Sequence, residues 1–279
     1  MKLRTLKWHV RYSLGSPYAR PYRIFLAKLG LCRPPDFLII GTMRGGTTSL
    51  YVYLAESSGI SRPLRKEIHF FDDNYGKGWA WYLAHFPVRN SSVLTGEGSP
   101  NYMFYPVAMQ RIADTLPNAK LIALLRNPIE RAYSHYWHEV SLGYETLPFE
   151  DALNREYDMD NNCWRPWELG GRGIYEHEHF SYLSRGLYVK QLKPWMEKIS
   201  RNNFLILKSE ALFNDPGKVL SEALTFLGRP PSGCATFRKY NEEQYSPMSD
   251  ITRARLRSLF RPYNEELSEL LGMDFSDWI

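Results

Sequence analysis

The stretch Asp36-Phe37-Leu38-Ile39-Ile40-Gly41-Thr42-Met43-Arg44-Gly45-Gly46-Thr47-Thr48-Ser49-Leu50 decides how this chain reads. Its apolar half, Phe37–Ile40, is a short run with no polar interruption, as a strand buried on both faces requires. A glycine-rich turn follows, and three consecutive hydroxyl residues then open a helix expected over Thr47–Ala55. A strand, a glycine turn and a helix start bring backbone N–H groups and the positive end of a helix dipole to one point. Such a point is a ready site for a phosphate or sulfate group.

The spacing is that of an ATP-binding loop, G-x-x-x-x-G-K-[ST], with one displacement: Thr47 stands where the lysine belongs, and the cation sits inside the loop at Arg44. A second displacement follows further on. A triphosphate site usually keeps an Asp at the end of a neighbouring strand to hold magnesium. Here the strong apolar run Lys120–Leu125 ends in Arg126. An anion-binding side chain replaces a metal-binding one, so the expected ligand is a metal-free nucleotide carrying a second anion near Arg126. Arg126-Asn127-Pro128 then starts a helix, with Pro128 suited to its first turn. Ser134 lies about two turns along from Arg126, so both can address one phosphate, the guanidinium as a bidentate fork.

Around these motifs, apolar runs alternate with helix-like segments, the pattern of a parallel sheet covered by helices. Strands are expected over residues 37–40, 93–96, 120–125 and 204–207. Helices are expected over about 47–55, 107–116, 128–140, 217–227 and 253–271, the last from apolar spacing that includes Leu256, Phe260, Leu267 and Leu271. The fold class is α/β, a single domain over residues 36–279. Residues 143–186, rich in aromatics and acids and containing Gly170-Gly171, break the rhythm and read as an irregular insertion near the acceptor site.

Charge is local. Residues 1–35 hold eight Lys/Arg and no acid, while the remaining 244 hold 27 Lys/Arg against 30 Asp/Glu, a balance of −3. The excess is a basic N-terminal arm, and no nucleic-acid surface is expected. The arm lacks the apolar run of a signal peptide, and weak contact with anionic lipid is compatible with its makeup. No run of 18 apolar residues occurs, so no transmembrane segment is expected. The three cysteines (Cys32, Cys163, Cys234) show neither metal nor disulfide spacing, which favours a reducing, cytoplasmic setting. The sequence leaves the oligomeric state open.

The loop at 41–49, the segment Arg126-Asn127-Pro128-Ile129-Glu130-Arg131-Ala132-Tyr133-Ser134 and the segment Lys66-Glu67-Ile68-His69-Phe70-Phe71-Asp72 together resemble the sulfotransferases that use 3′-phosphoadenosine-5′-phosphosulfate (PAPS), which leaves as PAP. The resemblance is to the branch of heparan sulfate sulfotransferases and bacterial stand-alone relatives. It extends over about residues 36–278, through Ser99-Pro100-Asn101-Tyr102, Arg185-Gly186-Leu187-Tyr188 and Arg261-Pro262-Tyr263-Asn264. It implies that Arg44, Gly45, Gly46, Thr47, Thr48 and Ser49 hold the 5′-phosphosulfate and that Arg126 and Ser134 hold the 3′-phosphate. It also implies a late basic loop, Arg238-Lys239, over the nucleotide, and places Tyr188 near the adenosine. No metal is expected.

Sulfuryl transfer removes a proton from the acceptor while negative charge grows on the departing phosphate. Glu67 is the expected base, and His69, two residues on, either orients it or acts as base itself. Arg44 and Lys66 supply electrostatic assistance. The family often has lysine where this chain has Arg44. Arginine holds its proton too tightly to donate it, so Lys66 becomes the candidate donor to the leaving group. For the acceptor, residues 144–168 hold seven acids against Arg155 and Arg165, a poor cleft for a polyanionic glycan. With Phe71, Trp81, Tyr102, Trp137 and Trp164 as expected contacts, aromatics and carboxylates suit a small acceptor with a hydroxyl, amine or guanidine, of the kind found in natural product biosynthesis. A saccharide hydroxyl is the alternative acceptor; a P-loop kinase or a non-catalytic nucleotide-binding module are the alternatives of other classes.

Overall fold

The computed structural model describes residues 19–88, 92–163, 175–231, 237–238 and 246–278. Five strands form one parallel sheet: β1 (Phe37–Gly41), β2 (Ile60–Ser61), β3 (Leu94–Gly98), β4 (Lys120–Leu125) and β5 (Phe204–Lys208), in the spatial order β2-β3-β1-β4-β5. The helices are α1 (Ala19–Lys28), α2 (Thr47–Glu56), α3 (Trp79–Leu83), α4 (Pro106–Thr115), α5 (Pro128–Leu142), α6 (Phe149–Cys163), α7 (Tyr175–His179), α8 (Tyr188–Lys198), α9 (Ser209–Asn214), α10 (Pro216–Phe226) and α11 (Asp250–Leu271).

Successive residues of a strand point to opposite faces, and here both faces are covered. Phe37 and Ile39 of β1 join Ile122, Leu124 and Leu207 beneath α2 and α10. Leu38 and Ile40 join Leu121, Ala123, Leu125 and Ile206 against α4, α8 and the end of α11. A third core, with Ile129, Tyr133, Tyr136, Phe149, Tyr182 and Phe260, fixes α5 and α6 to α11. The connection from β1 runs to β2 on one side of the sheet, and the connection from β3 runs to β4 on the other. This reversal opens a crevice at the carboxyl ends of β3, β1 and β4, where ligands of such sheets bind.

The four expected strands are present, with the second displaced to Leu94–Gly98, and the two-residue β2 is an addition too short for a periodicity to show. One expectation needs correction. Residues 149–163, inside the stretch read as irregular, form the 15-residue helix α6, which buries Phe149, Ala152 and Leu153. The second half of the basic arm packs on the domain. Helix α1 packs on α3, Ala27 and Cys32 are buried, and Arg23 donates to the carbonyls of Ala84 (2.6 Å) and Phe86. Arg33 pairs with Asp36, whose other oxygen accepts from the Thr95 amide at 2.8 Å, tying the arm to the start of β1 and β3. Arg23→Ala should therefore lower stability by about 1–3 kcal/mol in urea unfolding, whereas an arm independent of the domain would leave the transition unmoved.

Candidate active site

The β1–α2 loop is shaped by close backbone approach. Thr42 donates its amide to the Leu124 carbonyl (2.9 Å), Gly45 donates to the Thr42 carbonyl (2.9 Å), and the buried Ser209 hydroxyl donates to the Gly45 carbonyl (2.6 Å). A Cβ on Gly45 would sit 2.8 Å from the Leu124 oxygen, so only glycine fits. Gly46 takes φ 86°, the left-handed conformation glycine adopts without strain, and Arg44 takes φ 66° despite its side chain. Of the helix-opening hydroxyls, Thr47 and Ser49 are buried and Thr48 is half-buried.

Arg44 connects the two halves of the expected nucleotide site. Its Nε donates to the Ser134 hydroxyl at 3.1 Å, and its carbonyl accepts from Arg126 Nη1 at 3.1 Å. Ser134 reaches this point because Asn127 caps α5, its side chain accepting from the Ile129 amide at 3.0 Å with Pro128 in the first turn. The residues assigned from sequence to two separate anions thus form one cationic cluster at the crevice. Tyr188 is 1% exposed and donates its hydroxyl to the Arg126 carbonyl at 2.7 Å, so it braces Arg126 from within the core and presents no surface to an adenosine. Arg238 is exposed, and its carbonyl accepts from Tyr53 on α2 at 2.7 Å; Lys239 lies outside the described residues.

The second cluster follows β2. Glu67 and His69 both have left-handed backbones, φ 57° and 52°, and a single π-helical turn runs over Phe70–Asn74. Lys66, 6% exposed at its side chain, pairs with Glu67 Oε1, while Glu67 itself is 40% exposed. His69 Nδ1 meets the fully buried Asp72 carboxylate at 2.8 Å, and its Nε2 lies 3.8 Å from Glu67 Oε2. Burial opposes charge on both groups but is outweighed. The Lys66 charge and the hydrogen bonds of His69 and Lys66 hold the Glu67 carboxyl down to about 2. The hydrogen bonds and charges of Asp72 and Glu67 lift the His69 imidazole to about 10. Among the described residues, His69, Asp72 and Asp73 are also the one group with donor atoms close enough (within 4.8 Å) to hold a cation.

The expected acceptor contacts divide. Phe71 and Tyr102 have no exposed surface, because both pack into the core beside Tyr82, and neither can touch an acceptor. Trp81 is half-buried, under the Lys77 ammonium and against His85. Trp137, one turn beyond Ser134 on α5, is half-buried against Tyr133 and Tyr136. Trp164 lies outside the described residues.

A parallel sheet, a phosphate-type loop without its lysine and a carboxylate beside cations define a group-transfer enzyme of the sulfotransferase class. The description of the sulfotransferase domain matches residues 34–255, and the chain belongs to that family. The sulfotransferase of Alicyclobacillus acidocaldarius has a similar structure, with TM-score 0.72 and 28% identity over 88% of this chain and 99% of that one. The membrane-associated sulfotransferase kil1 of Dictyostelium discoideum is 29% identical over 86% of this chain and 66% of its own length. The mouse bifunctional heparan sulfate N-deacetylase/N-sulfotransferase 4 is 31% identical over 88% of this chain, which spans only 31% of that protein. The mouse heparan sulfate glucosamine 3-O-sulfotransferase 3B1 is 27% identical over 91% of this chain and 68% of its length. Membership of the family implies PAPS as donor.

Gly45→Ala should reduce PAP affinity by about tenfold or more in calorimetry, since the loop must open by several tenths of an ångström. Gly76→Ala, at a position with nothing within 4 Å, should change nothing.

Proposed function

We propose that this sulfotransferase passes the sulfuryl group of PAPS to a hydroxyl or to an amine or guanidine nitrogen of a small acceptor, by in-line displacement with Glu67 as general base. The observation that carries this reading is the Glu67 carboxylate held between Lys66 and His69 at the carboxyl edge of the sheet. The Ser99 hydroxyl accepts from the His69 amide, and the Ser99 amide donates to the Ile39 carbonyl of β1, so this segment lies beside the strand that leads into the phosphate loop.

Each group then has a part. Arg44, Arg126, Ser134 and the N-terminal amides of α2 hold the nucleotide's anions. Lys66 occupies Glu67 Oε1, which leaves Oε2 to receive the acceptor proton. A carboxyl held near 2 is a feeble base. Growing negative charge on the departing phosphate draws the Lys66 ammonium toward it, and as Lys66 leaves, Glu67 becomes more basic. Base and leaving-group assistance are thereby coupled. His69 stays protonated at neutral pH, which supports Glu67 over His69 as the base; with Asp72 behind it, His69 orients the carboxylate.

The acid-rich segment at 144–168 supports a small or cationic acceptor from natural product biosynthesis. Sulfation of a saccharide is the second reading, favoured by the heparan sulfate relatives. Labelled PAPS offered with amines, phenols and desulfated oligosaccharides decides between them. No metal is required in this reading, so EDTA should leave turnover unchanged. Metal-restored activity after chelation would instead assign an ion to His69, Asp72 and Asp73. The exposed Tyr22 and Phe25 of α1 and Leu29 just beyond it, in a stretch with eight cations and no acid, support weak contact of a cytoplasmic enzyme with anionic lipid.

Glu67→Gln should cut kcat by about 10²–10⁴-fold with PAP affinity intact, and a variant as fast as the parent would refute the base. Arg126→Ala should weaken PAP binding in calorimetry. Glu67, lowered from its ordinary value, is ionised above about pH 2, and His69, raised from its own, is protonated below about pH 10. The kcat/KM profile should therefore be flat across roughly pH 5–9 and fall as pH rises through the imidazole value. The same shifts stabilise the fold in two windows. The Glu67 contribution is present above the ordinary carboxylate range and lost as pH falls through about 2; the His69 contribution is full below 6.5 and lost as pH rises through about 10.

A further inference from the structure

Behind the Glu67–His69 segment lies a carboxylate that no sequence motif brought forward. Glu97 on β3 is completely buried, and among the described residues no cation pairs with it. It accepts four hydrogen bonds. Oε1 takes the hydroxyls of Tyr82 (2.8 Å) and Tyr102 (2.9 Å), and Oε2 takes the Ser99 hydroxyl (3.0 Å) and the Ile68 amide (3.3 Å). Two of those hydroxyls are acceptors in turn. Ser99 Oγ accepts from the His69 amide (3.3 Å), and the Tyr102 oxygen accepts from the Phe70 amide (2.9 Å). Three consecutive backbone amides, Ile68, His69 and Phe70, therefore end on Glu97 directly or through one hydroxyl.

The direction of these bonds matters. An amide can only donate, so Ser99 and Tyr102 must receive from it and send their own protons onward. Groups that accept must stand behind them, and Glu97 does so at both oxygens; burial pushes its carboxyl above the ordinary value and its four hydrogen-bond partners pull it back down. From the other side, Asn74 Nδ2 donates to the carbonyls of Ile68 (3.0 Å) and His69 (2.9 Å). Left-handed backbone at two non-glycine residues is strained and persists only where the surroundings over-determine it. Here the over-determination is visible: both ends of the Ile68–His69 and His69–Phe70 peptides are held.

We propose that Glu97 is a positioning residue for sulfuryl transfer, polarising Ser99 and Tyr102 so that the Ile68–Phe70 backbone holds Glu67 and His69 toward the donor. The inference rests on Glu67 being the base. Glu97 touches neither donor nor acceptor, and the nucleotide's cations, Arg44 and Arg126, stand on other elements. Its loss should therefore appear in kcat and not in nucleotide affinity.

The test compares Glu97→Gln with the parent and with Glu67→Gln. Glutamine keeps the shape but turns one oxygen into a donor that faces a hydroxyl or amide already donating. The expected result is a kcat about 10–100-fold lower, with PAP affinity by calorimetry and donor KM unchanged. In the Glu67→Gln background the same change should cost less than about threefold, because a mispositioned base cannot be lost twice. Should Glu97→Gln fail to fold, Ser99→Ala and Tyr102→Phe carry the test, each breaking one link and each expected to lower kcat with nucleotide affinity kept. Full kcat in a folded Glu97→Gln enzyme, beside a slow Glu67→Gln, overturns the positioning role alone. An equal loss of PAP affinity, or a full additional loss in the Glu67→Gln background, overturns it as well. Parent-like turnover of Glu67→Gln overturns the base itself and is read separately.

Discussion

The approach of the β1–α2 loop to the end of β4 is the constraint on which the site depends. The Leu124 carbonyl accepts from Thr42 and stands where any side chain on Gly45 would have to go. Because the turn is that tight, helix α2 starts directly over the crevice, and its free amides and dipole face the space between β1 and β4. Ser209, at the start of α9, closes the turn from behind through the Gly45 carbonyl. Two strands and two helices thus meet at one glycine, and the shape of this loop is a property of the sheet more than of the loop's own residues.

The charges around that site are arranged by how far each is withdrawn from water. Arg44 and Arg126 are half-buried, Arg44 donating to the Ser134 hydroxyl and Arg126 to the Arg44 carbonyl. Lys66 and His69 are instead paired with Glu67 and Asp72. A buried carboxylate keeps its charge only with several donors or a cation at hand. The buried Asp72 and the half-exposed Glu67 lie beside cations, and the buried Glu97 lies beside hydroxyls and an amide. The first arrangement can be altered by an incoming anion. The second cannot, as befits a support.

Much of the architecture was legible in the sequence, for reasons visible in particular residues. Phe37–Ile40 and Lys120–Leu125 are apolar without alternation because α2 and α10 cover one face and α4, α8 and α11 the other. Helix α5 announced itself through Asn127-Pro128, a cap and a first-turn proline. Elements that carry no such signal were missed. β2 is two residues long and exists only by pairing with β3. Helix α6 is acid-rich, and its polar exposed side masks the apolar face made by Phe149, Ala152 and Leu153. Helix α1 has a basic composition that resembles a solvated arm, and only the carbonyls of Ala84 and Phe86 give Arg23 a reason to dock.

The sequence by itself determined the residue types: a glycine turn opening a helix, arginine rather than lysine within the loop, and a carboxylate beside a lysine. Those are statements about residue types at short spacing, and chain connectivity enforces them. Only the tertiary structure decided which members of a motif face the ligand. Phe71 and Tyr102 belong to motif segments yet turn into the core, Tyr188 supports Arg126 from behind, and Glu97 holds a loop nearly thirty residues earlier in the chain. The physical reason is that a side chain's direction depends on backbone torsions and on neighbours distant in sequence. The left-handed turns at Glu67 and His69 are set by β3, whose approach no local pattern records.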